Sequence, residues 1–178
     1  MNSQKDNTLA NRLTYLLLII YSAVLFWIIV LKLNISFTYK GTQNVNLIPF
    51  QQPVRRNGRI DYNEIFLNIL IFVPLGLYVS ILFKRLSTFQ KILTFFGVSF
   101  ICEIMQYILR IGAFDITDII NNTFGGVVGL VLFEATAKIL KSPTKAQKLV
   151  NIIATIGTIL IVSTLLYLKI NKLLMFRR

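Results

Sequence analysis

The chain has 178 residues, of which 55% are hydrophobic and only 15% are charged, whereas a soluble domain carries about a quarter charged residues. Its formal charge is +12, but the basic residues lie between apolar segments and form no basic arm or helix face, so we expect them to contact phospholipid headgroups and not nucleic acid. The chain has no histidine and one cysteine, which excludes Ser-His nucleophiles, zinc-histidine sites and disulfides, and we expect no metal or cofactor.

Five long apolar segments follow one another along the chain. They cover residues 13–31, 65–83, 92–109, 116–137 and 149–168, and each approaches the length of about 20 residues that a spanning helix needs. A barrel strand would be half as long and would alternate in polarity. The sequence therefore predicts an all-α fold: a polytopic membrane helix bundle with about five transmembrane helices in a single domain, residues 1–178.

The first apolar segment is too long for the core of a signal peptide, so we expect it to remain as an anchor. Basic residues are similar in number on the two sides of the membrane, but they are denser in the connections 84–91 and 138–148. The positive-inside rule then favours an N-terminus inside the cell.

The connection between the first two spans, residues 32–61, is the longest. It contains the pentapeptide N-L-I-P-F, which begins at Asn46, and the basic residues Arg55, Arg56 and Arg59. We expect Pro49 and Phe50 to form a turn and an interfacial plug, and the arginines to contact lipid headgroups.

The second span carries polar residues at its start and a proline within it. Asn68 follows Glu64 by one helical turn, and Pro74 leaves the carbonyl of Leu70 without its helical donor. The end of this helix that carries Asn68 faces the long connection, so these features are expected at the same side of the membrane.

Polar residues also lie along one face of the third predicted helix. Glu103, Gln106 and Arg110 are spaced three and four residues apart, which places them on one helix face. A charged residue within a span usually faces protein or water and often marks a functional site.

The fourth predicted helix has a matching stripe, formed by Asp118, Asn122, Gly125 and Gly129. The connection between the third and fourth helices is very short, so the two must be antiparallel neighbours. The Gly-x-x-x-Gly spacing lets helix backbones approach closely. We therefore expect the acids and amides near Asp115 to meet Arg110, Gln106 or Glu103 instead of lipid, at the membrane face that also receives the long connection.

Structural roles remain open for the same residues. Asp115 could cap the fourth helix, with Asp118 in its first turn. Glu103 could form hydrogen bonds between helices or could face a ligand or accept a proton. Asn68, Gln106 and Asn122 are typical of polar contacts between helices.

Taken together, these residues resemble the successive motifs of the VanZ-like family. The motifs are N-L-I-P-F, N-x-x-x-F-x-P-L-G from Asn68, E-x-x-Q from Glu103, and D-x-x-D-x-x-x-N-x-x-G-x-x-x-G from Asp115. The resemblance covers residues 32–133, with the fifth span, 149–168, outside it. Many family members have an arginine just before the Phe-Asp pair, where this chain has glycine and alanine, so Arg110 is the candidate substitute as a partner of Asp115.

The resemblance implies a multi-pass protein of the bacterial plasma membrane that is associated with low-level resistance to the glycopeptide teicoplanin. The implied partners are membrane lipids and, at a polar cleft on the outer face, a lipoglycopeptide antibiotic or a lipid-linked cell-wall precursor. Two alternatives remain: an intramembrane enzyme that acts on such a precursor, and a small transporter. The enzyme is less favoured than the resistance role because no nucleophile or complete metal motif is visible, and the transporter because five spans are few and no pair of broken helices repeats between two halves.

Overall fold

The structure is a computed structural model that describes residues 2–30, 44–50, 55–56, 59–60 and 62–170. Within these ranges the chain forms five helices: α1 (Asn2–Ile29), α2 (Tyr62–Leu82), α3 (Thr88–Ile108), α4 (Ile116–Ile139) and α5 (Pro143–Ile170). Four strands of two residues each accompany them: β1 (Val45–Asn46), β2 (Arg55–Arg56), β3 (Arg59–Ile60) and β4 (Phe114–Asp115).

Each of the five helices is long and apolar enough to cross a membrane. The qualifying segments are Thr8–Ile29, Ile65–Leu82, Thr88–Ile108, Ile116–Ile139 and Pro143–Thr164. The predicted all-α membrane bundle is therefore confirmed. The predicted boundaries are too narrow for α1, α3 and α5, because hydropathy marks only the apolar part of a helix whose backbone hydrogen bonding continues through polar residues at its ends.

Local sequence signals account for several helix ends. Ser87 and Gln90 form a capping box at the start of α3, since each side chain accepts a hydrogen bond from the backbone N–H of the other. At the end of α3, Arg110 adopts a φ of 55°, and the N–H groups of Arg110 and Ile111 donate to the carbonyls of Tyr107 and Gln106. This Schellman arrangement satisfies carbonyls that a helix end would otherwise leave without donors.

The closest helix pair is α2 with α4. A β-carbon at Gly125 would overlap the carbonyl oxygen of Ile69, and one at Gly129 would overlap that of Val73. On the facing helix, a β-carbon at Gly76 would overlap the carbonyl of Gly126. Glycine is required at these positions because the two backbones are in direct contact.

This contact corrects one expectation. The Gly125/Gly129 stripe was expected to bring α4 against α3, its neighbour in sequence, but it packs α4 against α2. The α3 helix instead places the ring of Phe95, which is fully buried, against Gly126. The spacing of small residues identifies a contact face, but it does not say which helix fills it.

Two apolar clusters lie along the bundle. The larger one includes residues from α1, α2, α3 and α4, among them Leu25, Phe72, Phe95 and Leu130. The smaller one joins α2, α4 and α5 near the end of the bundle where α2 ends and α5 begins, and it includes Ile81, Phe133, Ala146 and Val150. The helices are thus held together along their length, and the polar groups at each end are supported by packed side chains.

Polar contacts also attach α1 to its neighbours. The Tyr21 hydroxyl donates to the carbonyl of Ile71 at 2.7 Å, three residues before Pro74. Near the start of α5, the amide of Asn151 donates to the carbonyl of Ala10, and that of Gln147 donates to the Thr14 hydroxyl. These buried contacts at the start of α5 were not anticipated from hydropathy.

Candidate functional site

The sequence motifs converge at one end of the bundle. The segment 44–50, the start of α2, the end of α3, and β4 with the start of α4 meet there, as the hydrogen bonds described below show. We call this region the motif face and define it by Asn46, Asn68, Glu103, Asp115 and Asp118.

A two-residue parallel ladder ties the long connection to the start of α4. Val45 pairs with Phe114 and Asn46 pairs with Asp115, and the N–H of Phe114 donates to the carbonyl of Asn44 at 3.1 Å. The all-helical expectation did not include this ladder. It explains how a segment far away in sequence is fixed beside the acids of β4 and α4.

Both the nitrogen and the oxygen of the Asn46 side-chain amide form hydrogen bonds at this ladder. Its Nδ2 donates to Asp115 Oδ2 at 3.1 Å, and its Oδ1 accepts the N–H of Ile48 at 3.3 Å. The second bond closes a turn from a side chain to the backbone two residues ahead. Asn46 therefore both shapes the pentapeptide and holds Asp115.

Asp115 is the N-cap of α4, one of the two roles that the sequence left open. Its Oδ1 accepts the N–H of Thr117 at 2.7 Å, which satisfies one of the free donors at the helix start. The hydroxyl oxygen of Thr117 in turn accepts the N–H of Phe50 at 3.1 Å. The cap, the ladder and the pentapeptide are thus parts of one hydrogen-bonded structure.

The pentapeptide exposes its apolar side chains. Phe50 has a φ of 58° at the end of a turn that includes Pro49, and its side chain is 55% exposed. Val45, Leu47 and Ile48 are exposed to a similar degree. Anchored through its backbone, this segment presents an apolar surface next to the half-buried carboxylate of Asp115.

Glu103 is fully buried. Its Oε2 accepts the backbone N–H of Asp115 at 3.0 Å, so the α3 carboxylate holds the backbone of β4 in place. This geometry favours the hydrogen-bonding role of Glu103 over direct contact with a ligand, because its side chain has no exposed surface.

Asp118 lies in the first turn of α4 and connects this helix with α2. Its Oδ1 accepts a hydrogen bond of 2.6 Å from Asn68 Nδ2. Both side chains are half-buried. Asp118 therefore sits where it can remain in contact with a polar ligand or with headgroup water while it is held by an amide.

Asn122 lies one turn deeper and joins α4 to α3. Its Nδ2 donates to the hydroxyl of Ser99 at 2.9 Å, and its Oδ1 is buried without a hydrogen-bond donor among the described residues. Ser99 was not among the residues predicted from the sequence to form the site. Its position four residues before Glu103 places it on the same helix face, and that spacing could have identified it.

Two residues of the predicted α3 stripe have other partners. Gln106 is buried, and its Nε2 donates to the carbonyl of Ile29 at 2.7 Å, so it contacts the end of α1 and not the α4 acids. Arg110 is exposed, and no salt bridge joins it to Asp115 in the described part of the chain. The helix α3 ends before Arg110. Because the backbone of Arg110 is left-handed, its side chain leaves the helix face that the spacing predicted.

Some predicted features fall outside the described structure. The backbone around Arg55, Arg56 and Arg59 forms an antiparallel pair, β2 with β3, but the side chains of these arginines and of Glu64 lie outside the described part. Among the described residues, no group of three or more His, Cys, Asp and Glu side chains could hold a metal ion.

Comparisons with known proteins support the resemblance seen in the motifs. The model of a family described as VanZ/LLP1 matches residues 18–141. The curated protein VanZ of Enterococcus faecium is 35% identical over 161 residues, which cover 87% of this chain and 94% of that protein. No solved structure matches the chain. The protein is thus a multi-pass membrane protein that belongs to the VanZ-like family.

Proposed function

We propose that this protein lowers the susceptibility of a bacterial cell to teicoplanin or a related lipoglycopeptide, and that it acts from the motif face at the outer surface of the plasma membrane. The observation that carries the proposal is the similarity to VanZ through 94% of that protein's length, because the family is associated with teicoplanin resistance.

The shape of the motif face supports an amphiphilic ligand. Exposed Leu47, Ile48 and Phe50 form an apolar surface, and Asp115 and Asp118 lie half-buried beside it. An amphiphile offers an acyl chain to such an apolar surface and polar groups to the neighbouring carboxylates and amides. Teicoplanin carries an acyl chain, and so does a lipid-linked cell-wall precursor.

The hydrogen bonds of the motif face support a fixed arrangement of these groups. Asp115 is held by Asn46 and by the N–H of Thr117, and Asp118 is held by Asn68. A site whose polar groups are already positioned loses less conformational entropy when it binds. The buried Glu103 also helps to fix Asp115, because it accepts the backbone N–H of that residue.

The deciding experiment compares antibiotics that differ in their acyl tails. Cells with and without the protein are tested against teicoplanin and against a glycopeptide that lacks an acyl chain. We expect the protein to reduce susceptibility to teicoplanin and to have a smaller effect on the other compound. Unchanged teicoplanin susceptibility in cells whose membranes contain abundant protein would contradict the proposal.

A matched pair of variants links the effect to the motif face. Asp118→Ala removes an acid from this face, whereas Glu134→Ala removes an exposed acid from the other end of α4. We expect Asp118→Ala to abolish the protection at normal membrane levels and Glu134→Ala to preserve it. Equal loss in both variants would mean that the motif face is not the site of action.

The outer position of the motif face has its own test. A cysteine introduced as Leu47→Cys would be well exposed, because Leu47 is 66% exposed and the native Cys102 is buried. A membrane-impermeant thiol reagent should label it in intact cells. Labelling only after the cytoplasmic side is opened would reverse the proposed orientation and place the motif face inside.

A further inference from the structure

At the end of the bundle opposite the motif face, a cavity of about 720 Å³ lies between the end of α2, the start of α3, the last turns of α4 and the start of α5. We call it the lysine pocket and define it by Ser80, Lys84, Lys91, Glu134 and Lys138, all of which line it. None of these residues belongs to the motif face. The pocket therefore needs an explanation of its own.

The most unusual residue of the lysine pocket is Lys91. Only 9% of this residue is exposed, and no carboxylate lies within ion-pair distance of it among the residues described. Burial of most of a lysine side chain reduces the hydration of its charge, and an anionic partner would compensate that loss. The ammonium group of Lys91, at the wall of a cavity, is therefore placed to meet an anion that enters it.

Ser80 supplies a second unsatisfied group at the same wall. It is 3% exposed, and its hydroxyl has no hydrogen-bond partner in the part of the chain that the structure covers. A hydroxyl can donate to an oxygen atom of an anion, next to an ammonium group that neutralises the charge. Lys91 from α3 and Ser80 from α2 thus offer a charge and a directed donor to one cavity.

The rim of the lysine pocket is also basic. Lys84 and Lys138 are exposed on it, against the single exposed carboxylate of Glu134. Three ammonium groups against one carboxylate leave the pocket positive. A positive pocket between membrane helices, close to their ends, is suited to the phosphate of a lipid headgroup.

The apolar part of the wall distinguishes a lipid from a soluble anion. Val131, Phe133 and Ala135 of α4 also line the cavity, and Val131 is 55% exposed on the surface of the bundle. The cavity therefore borders the surface that acyl chains contact. A free phosphate ion would gain nothing from these side chains, whereas a phospholipid would bury its glycerol and upper acyl carbons against them.

We propose that the lysine pocket binds the phosphate group of an anionic lipid from the adjacent leaflet, with Lys91 and Ser80 as its buried ligands. With the N-terminus inside, this leaflet is the cytoplasmic one. The site is separate from the motif face and does not depend on the proposed resistance function.

The test uses the full-length protein, purified in detergent and stripped of lipid. Its thermal unfolding is followed as phosphatidylglycerol, phosphatidylcholine or inorganic phosphate is added. We expect phosphatidylglycerol to raise the unfolding temperature in a saturable way and the zwitterionic lipid to have little effect. A shift of equal size with inorganic phosphate alone would overturn the lipid as the source of the phosphate.

Lys91→Met and Lys145→Met form a matched pair at the same end of the bundle, because Lys145 is exposed on α5 and does not line the pocket. We expect Lys91→Met to weaken phosphatidylglycerol binding about tenfold or more, and Lys145→Met to change it by no more than about twofold. Equal effects of the two variants would overturn the site.

Two further measurements separate binding from folding. Without lipid, Lys91→Met should be at least as stable as the native protein, since it replaces a largely buried lysine that has no ion-pair partner among the described residues; a less stable variant would assign Lys91 a structural role instead. Ser80→Ala is a milder change that should weaken binding about threefold with the fold intact. No effect on binding from Ser80→Ala would remove Ser80 from the site.

Discussion

At the motif face, the acids Glu103, Asp115 and Asp118 each accept a hydrogen bond from an amide or a backbone N–H. At the other end of the same helices, the largely buried Lys91 lines a cavity, and no carboxylate lies within ion-pair distance of it among the described residues. In the first region the acids are positioned by groups of the protein itself, whereas in the second an ammonium group lines a cavity that an anion could enter. This difference indicates that the first region positions groups at a surface and that the second receives a charge.

The largest expected effect breaks both regions at once, since both depend on the contact between α2 and α4. Gly125→Ala would place a β-carbon against the carbonyl oxygen of Ile69, and the backbone cannot yield without separating the two helices. We expect a loss of about 3 kcal/mol or more in the free energy of unfolding. Thermal unfolding in detergent measures it.

The control for this substitution is on α3. Gly97 has no atom within 4 Å of an added β-carbon, and alanine is favoured over glycine in a helix by about 1 kcal/mol. Gly97→Ala should therefore unfold at the same temperature as the native protein or higher. Similar destabilisation in both variants would show that helix propensity, and not contact between backbones, governs these sites.

The next effect tests the link between α2 and α4 at the motif face. Asp118→Ala leaves the Asn68 amide without the acceptor it has at 2.6 Å, and we expect a loss of about 2 kcal/mol. In a double-mutant cycle with Asn68→Ala, the double variant should lose less stability than the sum of the losses in the two single variants. Strictly additive losses would mean that this hydrogen bond contributes nothing measurable.

Two substitutions of Glu103 distinguish a role in positioning Asp115 from a role in proton transfer. Glu103→Gln keeps a carbonyl oxygen that can accept the N–H of Asp115, whereas Glu103→Ala removes the acceptor. We expect the alanine variant to lose about 1–3 kcal/mol together with teicoplanin protection, and the glutamine variant to retain most of both. Normal folding with complete loss of protection in Glu103→Gln would instead favour the enzyme alternative, in which this carboxylate transfers a proton.

The smallest effect concerns the buried pair between α3 and α4. Ser99→Ala removes the acceptor of the Asn122 amide, and we expect a loss of about 1 kcal/mol. Thr94→Ala is the control, because the Thr94 hydroxyl donates to a carbonyl of its own helix, that of Gln90. A chemical denaturation series on the two variants would detect the difference, and equal stabilities would argue against a role for Ser99.

The features of this protein that depend on local chemistry could be predicted from its residues alone. Apolar length determined the five spans, because a segment in lipid must satisfy its own backbone as a helix. The position of Asp115 before an apolar run marked the start of α4, because an aspartate there can accept the free N–H groups of a helix. The order of the motifs and the short connection after Ile108 identified the end of the bundle at which the polar residues gather.

Which helix each of these residues contacts depends on how the five helices pack. The spacing of Gly125 and Gly129 defined a face, but the packing of the whole bundle assigned that face to α2, and it gave Gln106 to α1. The β1–β4 ladder and the cavity lined by Lys91 depend on segments far apart in sequence. Helix periodicity is a property of neighbouring residues, whereas the partner of a helix face is chosen by the packing of all five helices together.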